Sequence, residues 1–157
     1  LGEADWDFMA GISDRIGNPS VRRFPGSNDH LLLETATGAN ALTSCPTKRM
    51  TFGTPMQIRL SSKNGVYDNA TGWLMVDFFV TGSPPNPVAL YPEIRVDPGG
   101  SILSPMVTLG TALTASFPMP FTLPGGSFLV QGVALQPSLQ SGNPLFTTTD
   151  AHELVMY

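Results

Sequence analysis

Histidine meets carboxylate at two places in this chain, Asn28-Asp29-His30 and Asp150-Ala151-His152-Glu153. In extended backbone, residues two apart share a face. Asp150 and His152 together could therefore hold a divalent cation, or orient an imidazole tautomer. The plainer alternative is a turn aspartate followed by a strand-start histidine that faces solvent or bonds backbone. Nucleophilic catalysis has less to work with: serines are many, but no strand–turn–helix elbow surrounds one, and only two histidines could serve as base. Paired carboxylates for glycoside cleavage would come from Glu34, Asp77, Glu93 or Asp97, and no spacing selects a pair. Calcium is the ion best suited to the oxygen-rich turns Asp68-Asn69 and Asp97-Pro98-Gly99-Gly100, which ordinary turn chemistry also explains. No other cofactor is expected. Asn69-Ala70-Thr71 matches the N-glycosylation acceptor pattern. Trp6, Tyr67, Trp73 and Tyr91 are candidates for stacking on sugar rings from a sheet face, and Trp73 reads equally well as core.

The elements that must position these residues read as strands. Residues 5–12 alternate strictly, with Trp6, Phe8, Ala10 and Ile12 on one face and Asp5, Asp7, Met9 and Gly11 on the other. Such a strand must bury Trp6 and Phe8, either in its own domain or against a neighbouring subunit that receives it as an added strand. A long polar loop then leads to a second strand over 30–35, and another loop, containing Cys45, runs from 38 to 53. Residues 56–61 alternate apolar and polar and end at Asn64-Gly65, which predicts a tight hairpin turn. Residues 73–80 form an apolar run long enough for a central strand covered on both faces. Further strands are expected over 88–96, interrupted by Pro92, and over 106–113 and 117–123. The closing pair is expected over 127–136 and 153–157, with 145–147 as an additional short piece.

This makes about eight to ten strands with no convincing helix. The expected fold is all-β, a two-sheet antiparallel β-sandwich of jelly-roll or Greek-key connectivity, formed by one domain over 1–157. Its core is expected to hold Leu32, Ile58, Leu60, Trp73, Leu74, Val76, Phe78, Val80, Val107, Leu109, Phe128, Val130, Val133, Leu135 and Leu154, with Trp73 and Phe78 contributing most.

Composition narrows the function. The 157 residues suffice to bury a core without disulfides or metals. Charged residues make up 13%, about half the roughly 25% usual for such domains. Lys48 and Lys63 are the only lysines, so strand edges lack their common guard against strand addition. Either Ser, Thr, Asn and Gly solvate the exterior, or copies of the same chain cover it. Cys45 is the lone cysteine and reads as an inert thiol. An acidic balance, with a net charge of −4, argues against nucleic acid as a partner. No apolar run is long enough to span a membrane. The chain opens at Leu1 rather than Met, which reads as a mature form after removal of a signal peptide.

Residues 128–135 (FLVQGVAL) and 149–154 (TDAHEL), together with the polar strand approach Pro25-Gly26-Ser27-Asn28-Asp29-His30-Leu31, resemble secreted bacterial β-rich proteins of unassigned function. The resemblance covers about half of the chain. It implies export and a sandwich fold, and it carries no catalytic residue or ligand. The expected function is a non-catalytic, extracellular or cell-surface structural protein. It would self-assemble as the repeating subunit of a filament or coat, with Trp6, Phe8, Ala10 and Ile12 as intersubunit anchors. A carbohydrate-binding or adhesion module, using polysaccharide as partner and calcium as its ion, is the alternative. A hydrolase is the third.

Overall fold

The computed structural model describes residues 24–27, 29–51, 53–110, 113–118 and 125–156. The expected strand over 5–12 lies outside them. Ten strands follow in order: β1 (Leu31–Thr37), β2 (Thr47–Met50), β3 (Pro55–Ser62), β4 (Thr71–Val80), β5 (Ile102–Leu103), β6 (Val107–Thr108), β7 (Leu113–Pro118), β8 (Gly126–Leu135), β9 (Thr147–Thr148) and β10 (His152–Met156). A single 3₁₀ turn, Lys63–Gly65, separates β3 from β4.

These strands form two sheets. The smaller has the order β1-β3-β7 and is antiparallel throughout. The larger runs β2-β10-β8-β4-β5, with β6 on β4 and β9 on β8. The expected closing pair is present: β10 lies antiparallel to β8, with Leu154 opposite Phe128. The larger sheet is mixed rather than purely antiparallel, because β2 pairs parallel to β10, with Glu153 opposite Thr47.

Other expectations change as well. The loop over 38–53 contains β2, whose polar sequence Thr-Lys-Arg-Met hides a strand that buries Lys48 and Met50. Residues 88–96 form turns joined by one bridge, Val88 to Tyr91, because proline removes the ladder donor that a strand needs. The expected strand over 106–113 is split into β6 and the start of β7. Asn64 and Gly65 do adopt positive φ, 59° and 73°. The chain nevertheless does not fold back as a hairpin there: β3 pairs with β1 and β7, and β4 enters the other sheet.

Both sheets contribute to one apolar cluster. Leu31 and Leu33 of β1 and Met56, Ile58 and Leu60 of β3 meet Met50, Leu74, Val130, Ala134, Leu154 and Met156 of the larger sheet. A side chain at Gly132 of β8 would strike Leu60, so the two sheets approach closely at that point. The opposite face of the larger sheet carries a second cluster. There Met75, Phe79, Leu129 and Val133 are covered by Phe24, Val96, Phe146 and Ala151 from the connecting segments. Burial on both faces explains why β4 and β8 read as continuous apolar runs rather than alternating ones. Of the expected core, Ile58, Leu60, Leu74, Leu109, Val130, Val133 and Leu154 are buried. Trp73, Val76 and Phe128 are half-buried against a cluster, and Leu32 and Val107 are half-exposed. Phe78, Val80 and Leu135 are exposed, contrary to expectation.

Candidate functional site

The exposure of Phe78 and Val80 follows from how β4 is covered. Alternation along β4 puts Leu74, Val76, Phe78 and Val80 on the face that carries the shared cluster. Leu74 is buried and Val76 half-buried, but Phe78 is 45% exposed and Val80 66%. β5 adds a third member. Its register sets Ile102 opposite Val76 and so on the same face, where Ile102 is 72% exposed. Behind this strip Phe128 meets Phe78 edge to face, with ring centroids 5.5 Å apart. Gly126 stands opposite Val80, and a side chain there would collide with Phe78 and Met156.

Polar groups hold the strip in place. The Asp97 carbonyl accepts from Gly100 N–H and Ser101 N–H, and its Oδ1 accepts from Gly99 N–H at 2.9 Å, which turns the chain into β5. Ser104 closes the other end: its N–H donates to Leu74 O, and its Oγ accepts from Leu74 N–H, both at 2.9 Å. Phe78 N–H, two steps along from Val76 and four from Leu74, also points toward β5, beyond that strand's end. It donates to Asp77 Oδ1 at 2.7 Å. Asp77 thereby blunts the open edge of β4, while β5 ends the sheet with no described strand on its outer side. No charged residue stands between Asp97 and Asp150, so β5 to β9 carry no charge at all.

The residues singled out for chemistry are dispersed. Trp6, Phe8, Ala10 and Ile12 lie outside the described residues. Asp150 Oδ1 accepts from Gly26 N–H at 3.0 Å. His152 is buried, with Nδ1 2.9 Å from Thr35 Oγ1. Burial, with Lys48 nearby, pushes its pKa down to about 3, so its ring is neutral at ordinary pH. Among the described residues no group of three or more His, Cys, Asp or Glu gathers as a metal-ligand set. The carboxylates considered for glycoside cleavage are engaged: Glu34 pairs with Arg59 at 2.5 Å, and Glu93 accepts from Asn143 Nδ2 at 2.6 Å. Tyr67 is buried and offers no stacking face, and Tyr91 packs edge to face on Phe146. Cys45 is half-buried, and its thiol donates to Thr47 O at 3.5 Å.

Two polar features escaped the sequence reading. Asp29 accepts from Ser138 Oγ, from Thr147 Oγ1 at 2.8 Å and from Leu139 N–H at 3.0 Å. Burial raises its pKa, but hydrogen bonds, chiefly those from Ser138 and Thr147, outweigh that and hold it below the usual carboxylate value. This carboxylate ties the segment before β1 to the loop before β9. The second feature is a pocket of about 360 Å³ lined by Thr37, Gly38, Ala39, Asn40, Arg49, Thr51 and Thr54. Its lining carries one guanidinium and no carboxylate, and more of its surface is apolar than polar. No helix among the described residues is long and apolar enough to cross a membrane. No protein-family model, curated protein or solved structure matches this chain.

Proposed function

We propose that this chain is a secreted, non-catalytic structural domain that self-assembles as the repeating subunit of an extracellular filament or surface coat. We read its two sheets as a single-domain β-sandwich of jelly-roll type, with export following from its resemblance to secreted β-rich proteins. One observation carries the functional reading: Phe78, Val80 and Ile102 form an exposed apolar strip at the edge of the larger sheet beyond which no described strand lies. Contiguous apolar surface at a strand edge associates readily, and charge is the usual means of preventing it. Here charge near the strip is confined to Asp77 and Asp97, and no lysine stands on β4 or β5. The sequence from 98 to 149 is uncharged, and of the two lysines Lys48 is buried with its Nζ on Thr43 Oγ1. The test is sedimentation velocity over a hundredfold concentration range, with electron microscopy of the top concentration. Regular oligomers or fibres are expected, and a monomer at every concentration would refute the reading.

A second reading, a carbohydrate-binding module, is favoured by the pocket beside Arg49, whose mixed apolar and polar lining is of a kind that takes a sugar ring. Binding to a polysaccharide panel, lost on Arg49→Ala, would support it.

A further inference from the structure

The pocket at the end of β1 is lined by one cation, Arg49 of β2, and by no carboxylate among the described residues. Alternation along β2 buries Lys48 and Met50 and leaves Arg49 half-buried on the other side. We propose that this pocket binds a single hexuronate ring of an acidic polysaccharide, with the ring carboxylate on the Arg49 guanidinium. This rests on the carbohydrate reading above and names the class of sugar.

Hydrogen-bond chemistry separates acidic from neutral sugars here. Each hydroxyl of a neutral sugar brings a proton that needs an acceptor, and a guanidinium accepts none. Other polar groups of the pocket are spent within its own wall. Thr37 Oγ1 donates to Arg49 O at 3.0 Å, Asn40 Nδ2 to Thr37 O at 2.9 Å and Thr54 Oγ1 to Thr51 O at 2.5 Å. Gly38 is held on both sides: its N–H donates to Pro55 O at 2.9 Å, and its carbonyl accepts from Gln57 Nε2 at 3.1 Å. These bonds fix the cup before a ligand arrives, which lowers the ordering cost of binding. The guanidinium is a planar fork of N–H donors, the complement of a carboxylate. The apolar remainder of the lining, to which Ala39 contributes, suits the C–H face of a pyranose. One positive charge matches one carboxylate, whereas a phosphate dianion calls for a second cation, and no further Lys or Arg is among the described lining residues. A volume of about 360 Å³ lies near the lower end of ligand pockets, roughly 300–1,000 Å³, and takes one ring rather than a long segment.

The test is isothermal titration calorimetry of the full chain with tri-galacturonate, against neutral galactotriose and a sulfated galactotriose. At 20 mM NaCl the uronate should bind about tenfold or more tighter than the neutral trimer, and 200 mM NaCl should narrow that gap. Arg49→Gln should abolish the preference, and Arg49→Lys should keep only part of it, because an ammonium lacks the fork. Ala39→Leu, at an exposed position, should fill the cup and weaken uronate binding, a readout that does not depend on the Arg49 variants folding. Equal affinity for the neutral and acidic trimers would overturn this inference and spare the carbohydrate reading, as would a preference for the sulfated one. Uronate binding that Ala39→Leu and Arg49→Gln both leave unchanged would put the ligand elsewhere and also overturn it. If none of the trimers binds, the inference falls alone where the polysaccharide panel still shows binding that needs Arg49, and silence across the panel sinks both.

Discussion

His152 and Asp29 show how single side chains set this protein's response to acid. His152 is neutral in the fold, with a pKa near 3 against 6.5 when exposed. The unfolded chain therefore binds a proton between those values that the native state does not. Its contribution is complete above pH 6.5 and falls by about 1.4 kcal/mol per pH unit as the pH drops toward 3. Urea unfolding from pH 7 to pH 4 should show that slope, and His152→Gln should flatten it. Asp29 acts lower on the scale. Its pKa lies below the ordinary 3.8, so its contribution is present above that value and disappears as the pH falls through the folded pKa. Asp29→Ala leaves Ser138, Thr147 and Leu139 N–H without their acceptor and should cost about 1–3 kcal/mol at pH 7, read from the same unfolding curves. Neither environment is legible from local sequence. His152 follows a turn-like Thr-Thr-Asp and reads as exposed, until β8 and Thr35 enclose it.

At the scale of elements, close approach matters more than propensity. A Cβ at Gly26 would lie 2.0 Å from Thr149 O, a backbone atom that cannot rotate away. At Gly132 it would lie 2.3 Å from Leu60 Cδ1, the end of a movable but fully buried side chain. Gly26→Ala should therefore destabilise more than Gly132→Ala, which should cost about 1–3 kcal/mol; thermal melts of the two variants would check the order. The strands with strong local signals, β1, β3, β4, β8 and β10, were legible from alternation or apolar runs. β2 was not, because Thr47-Lys48-Arg49-Met50 is a strand only through its parallel partner β10, which carries Met50 into the core. Residues 88–96 erred the other way: apolar enough for a strand, they instead lay Tyr91, Ile94 and Val96 over the second cluster.

For the whole molecule, the prediction concerns what drives association. If the apolar strip of Phe78, Val80 and Ile102 is the contact, the driving force is apolar burial. Assembly should then change by less than about twofold between 20 and 200 mM NaCl, a range that screens charge pairs. Sulfate should promote it, because that salt is excluded from protein surface. Light scattering at fixed protein concentration measures both responses. A steep loss with NaCl would point to an ionic contact elsewhere on the surface.

Residue order alone determined the all-β class, the principal strands and the positive φ of Asn64 and Gly65, because side-chain period and turn stereochemistry act over a few neighbouring residues. Tertiary structure decided that Asn64-Gly65 joins two sheets instead of closing a hairpin, and that β2 runs parallel to β10. It also decided that Phe78 and Val80 are exposed although their neighbours Leu74 and Phe79 are buried. All four belong to one apolar run, and nothing local distinguishes them. Burial depends on how far the covering layer extends over a strand, and that is a property of the assembled sheets.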